Sequence, residues 1–425
     1  MRKTGILLVV FICAIAEISA QKKGFDYKFY GQIRTDLFYN TRSNSETVDG
    51  LFYMYPLREE KDPAGNDLND EPNGSFYTLY TRLGIDVSGP KLGKAKTSAK
   101  VEVDFRGSGT TYSLFRIRHA YFNLDWGKSD LLVGQTWHPL YGDVAPEILN
   151  LNMGAPYQPF SRAPQIRYRY TAKSFALTAA AIWQSQYLSV GPKSDNVGET
   201  ATQKSQNFIK KSCVPEFYLG VDYKKEGLLM GVGGHVSSIT PRTRSVAEDG
   251  KTYHVSERVT GLSGEAHVKY TRENWLFSAK SVLGTNLTQT STVGGYGITA
   301  ISATTGEQTY APLRVSSTWV NVAYGKVWRP ALFFGYLKNL GSSEDLLDMG
   351  DGRNVLYGRI GTGTDLDQLL TGSAELTYNC PNWKLGVEYS LCNAWYGNTF
   401  TPKAKAIETE SVMNHRVVLT ALFQF

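Results

Sequence analysis

Basic side chains at even spacing are the chemistry this sequence offers most plainly: Arg116 with Arg118, Arg167 with Arg169, and Lys96 with Lys100 and Arg106. In an extended chain such spacing projects side chains from one face, one above the next. With Lys28, Arg34 and Arg82 they give ten bases opposite the apolar faces of the first six strand-like segments, against the acids Asp36, Asp86, Glu102 and Asp104. A wall with that surplus would concentrate anions in a narrow watery bore and offer carboxylates successive footholds. The competing arrangement pairs several of these bases with the four acids across strands and leaves a weaker field. Further along, Lys224, Lys269, Lys280 and Lys384 meet Glu216, Asp222, Glu265, Glu375 and Glu388, so a second wall is nearly balanced.

Other constellations are weaker. Gly261-Leu-Ser-Gly-Glu265 lacks the glycines two residues either side of the serine that a nucleophile elbow needs. None of the six histidines falls in a metal-ligand motif: His235 and His267 sit on inward faces of separate segments, and His119 reads as lipid-facing or interfacial. We therefore expect no catalytic residue, no metal and no cofactor, with a hydrolase built on His235 or His267 as a remote alternative. The acidic run Glu59–Glu71 lacks calcium-loop spacing and reads as a solvated loop, with divalent bridging to lipopolysaccharide as the alternative. Residues 138–163 are apolar and proline-rich for a surface connection, with a helix-start signal at Asp143, Pro146 and Glu147. Folded inward, this segment would narrow a bore and set Asp143 and Glu147 against the basic wall.

The elements that must position these groups repeat with period two. In residues 28–39, Phe29, Ile33, Leu37 and Tyr39 alternate with Lys28, Gln32, Arg34 and Asp36. In 76–88, Tyr77, Leu79, Leu83, Ile85 and Val87 oppose Thr78, Arg82 and Asp86, and in 94–106 the apolar set opposes five charges. Charges stacked every two residues are costly in a sandwich core and cheap in a wet lumen. The pattern predicts sixteen strands, near 28–39, 76–88, 94–106, 113–126, 130–137, 164–173, 174–187, 214–225, 227–239, 259–273, 275–287, 313–326, 329–340, 371–380, 382–396 and 412–425. Short turns alternate with long loops, apart from one short connection at 107–111, as in an all-β, transmembrane, antiparallel up-and-down β-barrel. Residues 353–360 could form another strand but are assigned to a long loop, and an even count puts both ends on the periplasmic side. Facing within 130–137 is ambiguous.

Residues 1–20 read as a cleaved secretory signal: Arg2 and Lys3, an apolar run, then Ser19-Ala20. Residues 21–425 follow as one domain, with no segment left over for a plug. No later apolar run approaches the ~18 residues of a spanning helix. Loss of two bases and one acid with the signal takes the net charge from +6 to +5, too little to argue for nucleic acid. Aromatics at 12% of the chain suit strands and membrane-interface girdles. Cys380 and Cys392 should lie too far apart along a hairpin to bridge.

Phe29-Tyr-Gly-Gln-Ile-Arg34, Thr81-Arg-Leu-Gly-Ile-Asp-Val87, Val101-Glu-Val-Asp-Phe-Arg106, Arg116-Ile-Arg-His-Ala-Tyr121 and Gly134-Gln-Thr-Trp137 resemble the DcaP-like trimeric outer-membrane porin family. The resemblance implies a sixteen-stranded homotrimeric barrel in the outer membrane of a Gram-negative bacterium, with an inward third loop and passive uptake of small, often anionic solutes such as dicarboxylates. It carries the lumen-arginine role to Arg34, Arg82, Arg106, Arg116, Arg118, Arg167 and Arg169. Lipid and lipopolysaccharide are the implied surroundings. The alternating end of the chain, with Phe423 and Phe425, resembles the insertion signal read by the barrel assembly machinery. The alternative to a porin is a structural or adhesion barrel whose loops bind a partner.

Overall fold

The computed structural model describes residues 24–47, 50–106, 114–197, 201–348, 356–357 and 365–425. Sixteen antiparallel strands carry the period-two pattern. The first eight are β1 (Asp26–Asn40), β2 (Asn73–Tyr77 continued as Arg82–Leu92), β3 (Ala95–Asp104), β4 (Arg116–Asp125), β5 (Ser129–Trp137), β6 (Arg162–Ala172), β7 (Phe175–Ile182) and β8 (Glu216–Lys225). The remainder are β9 (Leu228–Ile239), β10 (Val259–Arg272), β11 (Trp275–Thr285), β12 (Gln308–Tyr324), β13 (Trp328–Ser342), β14 (Leu366–Cys380), β15 (Trp383–Phe400) and β16 (Ala406–Gln424). Pairing of β1 with β16, from Gln32 opposite Gln424 to Asn40 opposite Arg416, closes the sheet into a barrel, so no edge is left open. The final aromatic adds one more rung, exchanging both backbone hydrogen bonds with Gly31 at 2.9 and 3.0 Å. A Cβ on Gly31 would sit 2.5 Å from the Phe425 ring, which is why that rung takes glycine.

Tight turns join the hairpins at one end, where Lys173, Glu226, Glu273 and Asn382 adopt positive φ between 47° and 67°. The outward faces carry Phe29, Ile33, Leu37, Leu332 and Phe334, all exposed and suited to a bilayer. The three described cysteines, Cys213, Cys380 and Cys392, are free. The signal segment and the connection at 107–111 lie outside the described residues, as does most of 353–360. Of the last, Leu356–Tyr357 pairs with Tyr296–Ile301 rather than adding a barrel strand.

Two local insertions correct the expected facing. β2 has one more residue than β1 between the pairs Gln32–Arg82 and Asp36–Tyr77, and the chain turns at Thr78–Thr81. Facing therefore flips across the break: Phe76 is exposed, while Leu79 and Tyr80 are buried. A bulge between Glu102 and Val103 lets both Arg118 and His119 turn inward, so His119 is buried rather than lipid-facing. In β5, Leu132 and Thr136 face in.

The interior is not uniformly wet. The third loop, L3 (residues 138–161), folds into the bore, and its Leu140, Val144, Tyr157 and Phe160 pack with Val315, Trp319, Phe333 and Leu337 of β12 and β13. Each such buried side chain contributes about 1.5–3 kcal/mol of transfer from water, which a water-facing loop would forfeit. The first loop, L1 (residues 41–72), also enters: Phe52–Pro56 is buried against the same cluster. That second inward segment was not expected, although the run Phe52-Tyr-Met-Tyr-Pro56 is as apolar as L3.

Candidate functional site

β1 to β6 gather the basic side chains around one ring. The guanidiniums of Arg82, Arg106, Arg34 and Arg118 lie 3.9, 4.8, 5.2 and 5.5 Å from the centre of Tyr80, which the break in β2 turns into the bore. Three of the four acids are tightly held. Asp36 bonds Arg34 at 2.7 Å, Asp104 takes two bonds from Arg116 at 2.7 and 2.9 Å, and Arg118 reaches both Glu102 at 2.5 Å and Asp104 at 3.1 Å. The fourth acid, Asp86, pairs with Lys100 at 3.0 Å. Arg116 and Arg118 thus converge on shared carboxylates, not the expected ladder of free steps.

What is left over is specific. Among the described residues Arg82 and Arg106 form no ion pair within 4.0 Å. Neither does Arg162, an arginine that sequence reasoning missed because it opens β6 outside the alternating run. Arg162 is fully buried between Trp137, Phe160 and Tyr187, with its guanidinium 4.7–5.7 Å from the three ring centres. Among the described residues the buried Nε atoms of Arg82, Arg106 and Arg162, and Nη1 of Arg162, have no hydrogen-bond partner. Of the remaining expected bases, Arg169 spans Asp143 and Asp222 at 3.2 and 3.3 Å. Arg167 lies half-buried beside it, and Lys96 is exposed near the β3 turn.

L3 crosses the bore and is pinned on both sides. Asp143 meets the basic wall through Arg169, but Glu147 does not: its carboxylate binds Lys269 of β10 at 2.9 Å and Arg329 of β13 at 2.7 Å, and its N–H donates to Asn321 of β12. Tyr157 meets Thr371 at 2.7 Å, Trp319 donates to Gln158 at 2.8 Å, and Lys280 donates to the carbonyls of Leu140 and Tyr141 at 2.8 Å each.

At the root of L3, His138 and His235 both approach Glu216 Oε2, at 3.2 and 2.9 Å, with Gln184 on the other carboxylate oxygen. Their residue types suit a metal ion, and the three come from separate elements, which is why no motif exposed them. Their surroundings suit a proton network better. The Leu140 N–H donates to His138 Nδ1, which places the imidazole proton on Nε2, facing Glu216, whereas a metal-bound histidine needs Nδ1 to donate. His267 bridges Glu265 and Asp222. Among the described residues no histidine hydrogen-bonds a serine hydroxyl. In the acidic run, Asp62 and Asp67 spend their oxygens on amides of their own loop, and Asp67 also binds Arg42 at 2.9 Å.

The sequence profile of the DcaP outer membrane protein family matches residues 14–182, which contain all the stretches quoted for that likeness. Curated proteins give no significant sequence match. Among solved structures, the outer membrane channel DcaP of Acinetobacter baumannii superposes with a TM-score of 0.64 at 18% identity, covering 95% of this chain and 99% of that one. A trimer form of OmpT, an outer membrane protein of Vibrio cholerae, gives 0.53 at 13% identity, covering 95% and 100%. The anion-selective porin from Comamonas acidovorans gives 0.52 at 11% identity, covering 94% and 100%. The likeness to DcaP read from the first strands is therefore borne out: residues 14–182 match the profile of the DcaP outer membrane protein family, and the sixteen-stranded barrel has the fold of solved outer-membrane channels.

Proposed function

We propose that the chain is a passive channel for small hydrophilic solutes, with a preference for anions such as dicarboxylates, and that it carries out transport and not catalysis. One observation carries the reading: of six guanidiniums on this wall, Arg34, Arg116 and Arg118 hold the three carboxylates Asp36, Glu102 and Asp104, while Arg82, Arg106 and Arg162 have no acid within 4.0 Å among the described residues. A passing carboxylate would be drawn by the field of guanidiniums that no contacting acid neutralises. Aromatic faces around the cluster keep those groups partly dehydrated, which strengthens the attraction.

A homotrimer is supported by the trimer form of the V. cholerae barrel of the same fold. The surrounding partners are outer-membrane lipid and lipopolysaccharide. Insertion uses the barrel assembly machinery, acting on residues 21–425 as one domain after removal of the signal. A second reading, a structural or adhesion barrel, draws on L1 and L3 packing together inside the bore.

Planar-bilayer recording separates the two. Stable conductance with a reversal potential displaced toward the anion equilibrium value in a salt gradient supports the channel. No conductance from folded protein overturns it in favour of the plugged barrel.

A further inference from the structure

The proposal that follows rests on the channel reading and concerns what fixes the width of the bore. We propose that Glu375 and Glu388 are positioning residues for L3 that hold its tip as a pair sharing one proton. They stand directly opposite each other on β14 and β15 and are 8% and 1% exposed. Each accepts a backbone amide from consecutive L3 residues: Leu149 N–H to Glu375 Oε2 at 2.7 Å and Asn150 N–H to Glu388 Oε2 at 2.8 Å. Ser390 donates to the other oxygen of Glu388 at 2.9 Å. The Leu149 carbonyl is held by Arg34 of β1 at 2.5 Å, so the Leu149–Asn150 peptide is held at both its carbonyl and its N–H.

The charge around the pair does not neutralise it by contact. Lys384 on β15, Arg329 on β13 and Arg416 on β16 face it, and Arg34 on β1 and Glu147 from L3 face Lys384 in turn. Among the described residues none of these forms an ion pair with either carboxyl within 4.0 Å. Arg34 is committed to Asp36, Arg329 to Glu147, and Arg416 to the Asn40 side chain and the Gly50 carbonyl. Two adjacent buried carboxylates repel, and each has lost its water, so one retained proton is the low-energy arrangement, and the titration belongs to the pair. The proton-holding state is the one with L3 docked. Docking is therefore favoured at lower pH and weakened as the pH rises and the pair loses its proton. Release of the tip would let water reach the carboxylates and widen the bore.

Glutamine keeps an acceptor oxygen for each amide but has no proton to lose, whereas alanine removes the acceptor. Amide hydrogen exchange of the full-length protein in detergent, corrected for intrinsic rates, reads the two bonds directly at about pH 6 and about pH 9. In the native protein, Leu149 and Asn150 should be protected at the lower pH and lose roughly tenfold of that protection at the higher one. The E375Q/E388Q variant should stay protected at both, and E375A/E388A at neither, with single-channel current noise rising wherever protection falls. The clasp is overturned if E375A/E388A keeps native protection, or if E375Q/E388Q follows the native pH profile. Protein that conducts no current removes the channel reading instead, and the exchange data still decide the clasp.

Discussion

Arg34 on β1 and Asp36, two residues further along the same strand, form a buried ion pair at 2.7 Å, and the same Arg34 nitrogen reaches across to the Leu149 carbonyl at the tip of L3. One side chain thus serves the wall and the constriction together. Substitution to alanine leaves Asp36 buried without its counter-charge and frees one face of the Leu149 peptide. R34A should lose about 3–5 kcal/mol of stability. The measure is the temperature at which the folded, fast-migrating gel band converts to the slow one; an unchanged temperature contradicts the role given to this pair.

Gly335 on β13 faces the ring of Tyr157, and a Cβ there would lie 2.6 Å from two ring carbons. Valine at this position should push L3 from the wall, costing about 1–3 kcal/mol by overpacking, and alter single-channel conductance. A G335V channel indistinguishable from the native one would argue against L3 lying where it does.

In the cluster around Tyr80 and Trp137, Arg106 and Arg162 are buried and have no acid within 4.0 Å among the described residues, so they should govern anion preference more than the paired residues do. R106Q and R162Q should each lower the anion-to-cation permeability ratio, by on the order of tenfold at low ionic strength, with the effect shrinking as salt is raised. Charge reversal at Arg116 and Arg118 should carry the reversal potential further, toward cations, because it also releases Asp104 and Glu102. Equal permeability ratios for R106Q and the native channel would remove the anion cluster from the solute path.

In L1, burial would raise the Asp67 carboxyl, but the amides of Glu60 and Asn69 and the Arg42 guanidinium outweigh it and hold the group below its ordinary range. A depressed carboxyl stabilises the folded loop above the unfolded pKa of about 3.9, and that contribution is lost as pH falls through the folded value. D67N should therefore raise amide exchange in residues 58–70 at neutral pH, and strong acid should bring the native loop to the same level. Protection of the native loop that is unaffected by acid would count against the Arg42–Asp67 clasp.

The strand count, the alternation of short and long connections and the inward third loop were legible in the sequence, because each rests on local physics. Period two follows from the pleat, turns from short polar links, and an apolar loop has nowhere to go but inside. Position along a strand was less secure. A single extra residue before Arg82 and a bulge at Arg118 reversed the facing of Leu79 and His119, since parity is conserved only while both strands advance in step. Pairing was legible only as an alternative, and Asp36, Asp86, Glu102 and Asp104 are the acids the bases take. The surplus of bases could be counted from the chain, yet which of them stay unpaired depends on which side chains meet across neighbouring strands and against L3. Arg162, the His138–Glu216–His235 group and the facing Glu375 and Glu388 exist as sites only because closure of the barrel and entry of L3 bring distant backbone together. Periodicity specified the walls; burial and charge pairing in three dimensions decided what those walls hold.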